Sequence, residues 1–166
     1  MKCVKYFLFA ACALLMTAVI GQAAEDSNIT VTNDDFGDKW YKEVVWFSDY
    51  DLGTDAGTNT YVYNEVEGTA TTSGLVEARK YNEAKTIQIR IPTLGSTSID
   101  TRIEGRAGAN TQWAEIVTKN FAAATTIDYI LPVLEFVEEI RVGLRANGTA
   151  GTDTVTITGI LLGGKR

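Results

Sequence analysis

The sequence predicts an all-β domain, an antiparallel β-sandwich of the jelly-roll kind, and three observations carry that prediction. Apolar and polar residues alternate with a period of two in several short runs, the clearest being Ile87-Gln88-Ile89-Arg90-Ile91. Gly, Asn and Thr clusters separate those runs, and after the first twenty-odd residues no stretch has the period and length of an ordinary helix. Threonine is abundant at outward positions, where a β-branched polar side chain suits a solvated sheet face.

The 166-residue chain opens on a segment of a different kind. Lys2 and Lys5 precede an apolar run from Tyr6 to Ile20, and Gly21-Gln22-Ala23 follows. A positive start, an apolar middle and a small-residue exit mark a secretory signal peptide, expected at residues 1–23, with the domain at 24–166. The run is short for a membrane-spanning helix, so no span is expected after cleavage. The expected location is extracellular, at a cell surface or in a periplasm. Cys3 and Cys12 both fall in the leader, so the domain holds no thiol and no disulfide, and the whole chain lacks histidine.

Taken in order, Ser27 to Thr32 reads as a short strand with Ile29 and Val31 inward. Asn33 to Asp38 is a turn by composition, Lys39 to Phe47 a strand, and Ser48 to Thr60 an acidic, glycine-containing loop. Strand character resumes over Tyr61 to Val66, and Gly68 to Gly74 is a small polar connector. Leu75 to Ala84 suits a single helical turn. Thr86 to Ile91 is a strand that Pro92 is expected to stop, because proline cannot donate to a ladder. Thr125 to Val133 follows as a strand, and Leu134 to Glu139 as a connection with room for one helical turn. Ile140 to Asn147 is a strand ending at the Asn147-Gly148 turn signal, and Thr154 to Leu162 closes the fold.

Between these lies a hairpin, Ser98 to Phe121. Ile99, Thr101 and Ile103 alternate with Asp100, Arg102, Glu104 and Arg106, so one face belongs to the core and the other is charged. Ala107 to Asn110 turns the chain, and Trp113 opens the return. Over residues 86–163 the succession of TIQIRI, the Glu104-Gly105 hairpin with Trp113, IRVGL and TVTITG resembles the small β-sandwich modules of tailed-phage virion proteins and bacterial surface proteins. Arg106 stands where those hairpins carry a serine, no aspartate occupies the turn, and the tryptophan comes one residue later. The resemblance implies a structural or adhesive module of a larger assembly, and the leader moves it toward an exported surface or fibre protein.

Charge is unevenly spread along a chain of net charge −6. From residue 24 to 67 eleven acids face only Lys39 and Lys42, whereas from residue 68 onward ten acids meet eleven bases. The acidic first part argues against nucleic acid and anionic membrane as partners. Ser-His-Asp, Cys-His and histidine-metal chemistry are excluded by the missing residues, and no motif selects a carboxylate pair, so the chain is expected not to be an enzyme.

Three candidate sites remain. Asp49, Asp51 and Asp55 alternate in an oxygen-rich stretch that would suit a structural calcium ion, and Asp34, Asp35 and Asp38 form a second acidic cluster. Phe36, Trp40, Tyr41, Trp46, Phe47, Tyr50, Tyr61 and Tyr63 crowd the first part. Most should pack in the core; Trp40, Trp46 and Tyr50 are the candidates for stacking on a polysaccharide. Arg90, Arg102, Arg106, Arg141 and Arg145 project opposite the Ile/Val positions, and are expected to meet the acidic first part of a neighbouring copy. The function so read is an exported, non-enzymatic structural or adhesive protein that forms a homo-oligomer or filament. The alternative is a secreted carbohydrate-binding module.

Overall fold

The computed structural model describes residues 29–52, 60–66, 69–71, 74–122, 126–147 and 153–164. The expected leader and Asp55 lie outside them. Among the described residues eleven strands run in chain order: β1 (Thr30–Phe36), β2 (Lys39–Asp51), β3 (Asn64–Val66), β4 (Thr69–Thr71), β5 (Val76–Glu77), β6 (Ala84–Thr93), β7 (Ser98–Arg106), β8 (Ala114–Ala122), β9 (Ile127–Pro132), β10 (Glu139–Asn147) and β11 (Thr154–Gly164). They form a five-stranded sheet in the order β1-β2-β11-β6-β9, a four-stranded sheet in the order β5-β10-β7-β8, and a β3-β4 ribbon. Every pairing is antiparallel. The inner faces of the two larger sheets share one core, which makes the molecule a β-sandwich.

The period-two reading places the core residues correctly where a strand is regular. Ile87, Ile89 and Ile91 of β6, Ile99, Thr101 and Ile103 of β7, and Val155 and Ile157 of β11 are all buried. The departures have local causes. Asn33 to Phe36 is strand rather than turn, because β1 pairs with β2 as far as Phe36 with Lys39. Gly37, at φ 59, and Asp38 alone make the reversal, and the first residue of so tight a hairpin turn needs the left-handed freedom of glycine. β2 continues to Asp51 because it is held to β11 along that length. Its register with β11 shifts twice, between the pairs of Val155 and Ile157 and between those of Ile157 and Thr158. Such bulges re-aim side chains, which lets the adjacent Trp46 and Phe47 both turn inward.

Pro92 does not end β6, which runs on to Thr93. The ladder with β9 stops at Ile91, so the proline falls where no donor to that neighbour is required. The expected helical turn in 75–84 is instead the short edge strand β5 followed by a turn closed by Tyr81 N–H on the Ala78 carbonyl, 2.9 Å. No helical turn occupies 134–138 either. A buried carboxylate holds one end of the sandwich. Asp153 accepts from the N–H groups of Gly95 (2.7 Å) and Ser96 (2.8 Å) and from the Ser96 hydroxyl, tying the β6–β7 connection to the start of β11.

Candidate functional site

The outer face of the four-stranded sheet is set by β7 and β10, whose register opposes Asp100 to Arg145, Arg102 to Gly143, Glu104 to Arg141, and Arg106 to Glu139. Opposite charges facing across a ladder pair directly. Arg145 donates to Asp100 at 2.6 Å and Arg141 to Glu104 at 2.7 Å, while Arg106 is bonded to Glu139. Arg102 reaches Glu115 of β8 at 3.3 Å.

A third layer lies over these pairs. Val62 exchanges backbone hydrogen bonds with Leu144 (2.8 and 2.7 Å), so residues 61–63 run along the β10 edge. Val62 then points into the core, and Tyr61 and Tyr63 lie over the charged face. The Tyr61 ring has Arg102 and Arg145 at 4.2 and 4.8 Å, and Tyr63 has Arg141 at 3.9 Å. Trp113, arriving from the turn before β8, has Arg141 and Arg106 at 4.3 and 4.6 Å. Cations and aromatic faces thus alternate along the sheet, each contact contributing about 0.5–2 kcal/mol.

Glycine makes this approach feasible at one position. A Cβ on Gly143 would stand 2.6 Å from Tyr63 Cε1. The cover also shows in proton affinities. Burial first, and then a hydrogen bond to Glu104, push the Tyr63 hydroxyl up to about 12. Burial works to raise the Asp100 carboxyl, but hydrogen bonds from Asn147, Asn120 and Arg145 outweigh it and hold the group below its ordinary range.

This corrects the expected arginine interface. Arg102, Arg106, Arg141 and Arg145 are engaged by carboxylates and rings of their own chain, and Asp100, Glu104 and Glu139 are buried rather than solvated. Arg90 belongs to the other sheet, exposed on β6 beside Asp128 of β9 at 3.9 Å. Tyr61, Tyr63 and Trp113, the residues that organise the four-stranded face, had no assigned role in the sequence reading. The legible signals were the aromatic-Val-aromatic run at 61–63 and a glycine in mid-strand between two arginines, which marks a close approach.

The outer face of the five-stranded sheet carries no such layer among the described residues. Ile130 is 64% exposed, Ile160 42%, and Leu134 and Phe136 in the segment after β9 are 87% and 71% exposed. Ile130 and Pro132 sit opposite Gln88 and Thr86 of β6, and Ile160 lies opposite Thr86 on the next strand, so these apolar groups share one side.

Of the three stacking candidates, Trp46 and Tyr50 are core side chains, 2% and 3% exposed. Trp46 donates its indole N–H to the Gly74 carbonyl at 3.0 Å, and Tyr50 packs on Phe47 with ring centroids 5.2 Å apart. Neither presents a face to solvent. Trp40 does line a surface cleft of about 240 Å³ with Asn33, Lys42, Glu77, Lys80 and Tyr81. The calcium candidates are not gathered in a loop: Asp49 and Asp51 lie on β2, and Asp49, at φ 48, is bonded to Thr156 through both its N–H (3.0 Å) and its carboxylate (3.2 Å). Asp34 and Asp35 lie on β1. Among the described residues no three His, Cys, Asp or Glu side chains form a metal-holding group.

No protein-family model matches the chain, and no curated protein does. Solved structures with partial likeness include the cleaved adhesin domain of Lys-gingipain from Porphyromonas gingivalis, 9% identical over 87% of this chain and 95% of that one, with a TM-score of 0.39. A CBM4 structure is 11% identical over 87% and 84%, with a TM-score of 0.37. The pili of Bacillus endospore appendages are 11% identical over 87% and 97%, at 0.34. By description these are surface modules of the kind the Glu104–Trp113 hairpin resembles. The sandwich architecture itself rests on the strand pairing.

Proposed function

We propose that the chain is an exported, non-catalytic structural or adhesive module that self-associates, through the outer face of its five-stranded sheet. The observation that carries this reading is the exposed group Ile130, Leu134, Phe136 and Ile160 on a sandwich whose other outer face is covered from within. The occupant is a second copy. Beside Ile130 the face carries one cation and one anion, Arg90 and Asp128. A patch with both signs side by side is self-complementary about a two-fold axis, where Arg90 of each copy meets Asp128 of the other. Pro132 at the end of β9 limits continuous edge-to-edge strand pairing, which favours a face contact.

Sedimentation equilibrium over a wide concentration range tests the reading. The protein should associate reversibly, and Ile130→Asp should weaken association on the order of tenfold or more, since it places a charge in a desolvated contact. A protein that stays monomeric at millimolar concentration overturns it.

A further inference from the structure

The cleft beside Trp40 lies at the opposite edge of the sandwich from β9, and its chemistry is of another kind. It opens where β1 and β2, one edge of the five-stranded sheet, part from β5, the edge of the four-stranded sheet. Trp40 and Lys42 come from the inner side of β2, Asn33 from the β1 position paired with Lys42, and Glu77, Lys80 and Tyr81 from β5 and the turn that follows it.

The walls are held in place before any ligand arrives. The Tyr81 hydroxyl donates to Asn33 Oδ1 at 3.2 Å, its carbonyl accepts from the buried Lys85 at 3.4 Å, and its ring has Lys42 Nζ at 5.3 Å. Lys42 also donates to the Glu77 carbonyl at 3.0 Å. The Lys80–Tyr81 backbone packs against Gly163 so closely that no Cβ fits there. At the rim Lys39 and Glu83 close an ion pair at 2.6 Å. Walls fixed in this way lose little freedom on binding.

The cleft offers three kinds of recognition. An indole suits the apolar face of a sugar ring, as aromatic side chains with both apolar and polar character do. Asn33, Tyr81 and the Glu77 carboxylate suit hydroxyl groups. Two ammonium groups, Lys42 and Lys80, stand against the single carboxylate of Glu77, so this part of an acidic protein is locally cationic. Lys80 Nζ sits 5.3 Å from the Trp40 ring centroid, poised over the surface that a stacked ring would share. A neutral sugar leaves the second ammonium without purpose. A sugar bearing its own carboxylate uses it.

We propose that this cleft binds an acidic pyranose, a carbohydrate of the uronic-acid class, with its ring on Trp40 and its carboxylate toward Lys80 and Lys42. Because the cleft is remote from β9, binding and self-association operate independently.

Titration of the purified protein with trigalacturonate and with the neutral galactotriose, followed by amide chemical shifts and calorimetry, decides the matter. Trigalacturonate should bind and galactotriose should bind several-fold more weakly. Trp40→Ala should weaken trigalacturonate binding on the order of tenfold. Lys80→Ala, a change on an exposed turn that leaves the fold intact, should weaken it by about two- to fivefold without altering the neutral sugar. Raised salt should act in the same direction as Lys80→Ala. The proposal is overturned if neither sugar binds at 10 mM, if the two bind alike, or if Lys80→Ala leaves trigalacturonate binding unchanged.

Discussion

The two outer faces of this sandwich start from similar strands and end differently. On β6 and β7 alike, arginine alternates with isoleucine. On the four-stranded sheet the arginines meet carboxylates across the ladder and are then covered by Tyr61, Tyr63 and Trp113. On the five-stranded sheet Arg90 reaches Asp128 at 3.9 Å in the open, beside Ile130. An ion pair under cover and one in solvent are different energetic objects. The first must be complete, because a lone buried charge costs several kcal/mol; the second contributes little either way. One face is therefore finished within the chain, and the other keeps apolar surface that a second copy can bury.

The sharpest break in that contrast should come from Glu104→Ala, which strands the Arg141 guanidinium under Trp113 and Tyr63. A loss of about 3–5 kcal/mol is expected in urea unfolding. Arg90→Ala should change stability by no more than about 0.5 kcal/mol. Equal losses would abolish the distinction between the faces.

Gly143→Val tests the aromatic cover without touching a charge. Its Cβ displaces the Tyr63 ring, and about 1–3 kcal/mol of stability should go. Alkaline titration gives a second readout. Because the folded value of Tyr63 is raised from 10 to about 12, its contribution is full below pH 10 and is lost as pH climbs toward 12. In the Gly143→Val protein that tyrosine should titrate closer to 10.

Asp100 should produce a smaller effect at the acid end. Its carboxyl is held below the ordinary 3.8, so the stability it contributes is present above that pH and disappears as pH falls through the folded value. Asp100→Asn should flatten the acid limb of stability against pH, and an unchanged limb would show that the pairing with Arg145 carries no weight.

The smallest change in stability should accompany the largest change in association. Arg90→Glu and Asp128→Arg should each leave the urea midpoint nearly unmoved and weaken self-association. The double exchange should restore it, as a two-fold contact requires. Failure of the restoration would place the contact elsewhere on the molecule.

How legible each region was depends on how local its cause is. Ile99, Thr101 and Ile103 could be assigned to the core because a strand alternates its side chains whatever its neighbours. Asp34 and Asp35 read as turn by composition, yet they extend a strand, because pairing with Trp40 and Tyr41 outweighs their low β-propensity. Trp46 and Tyr50 looked like exposed rings, and bulges against β11 let their stretch turn inward. Trp40 was legible as a candidate, but its companions Glu77, Lys80 and Tyr81 come from a segment some forty residues on.

The alternation of residues determined by itself that this chain folds as an antiparallel sandwich, and which side of each regular strand faces inward. It also determined, through its missing histidines and its cysteines confined to the first segment, which chemistries the domain cannot perform. The tertiary structure alone decided what became of the outward residues. Arg90 and Arg102 occupy equivalent places in equivalent patterns, but β6 and β7 lie in different sheets, and only the second lies beneath Tyr61. That difference is made by contacts between residues far apart in the chain, which no local pattern encodes.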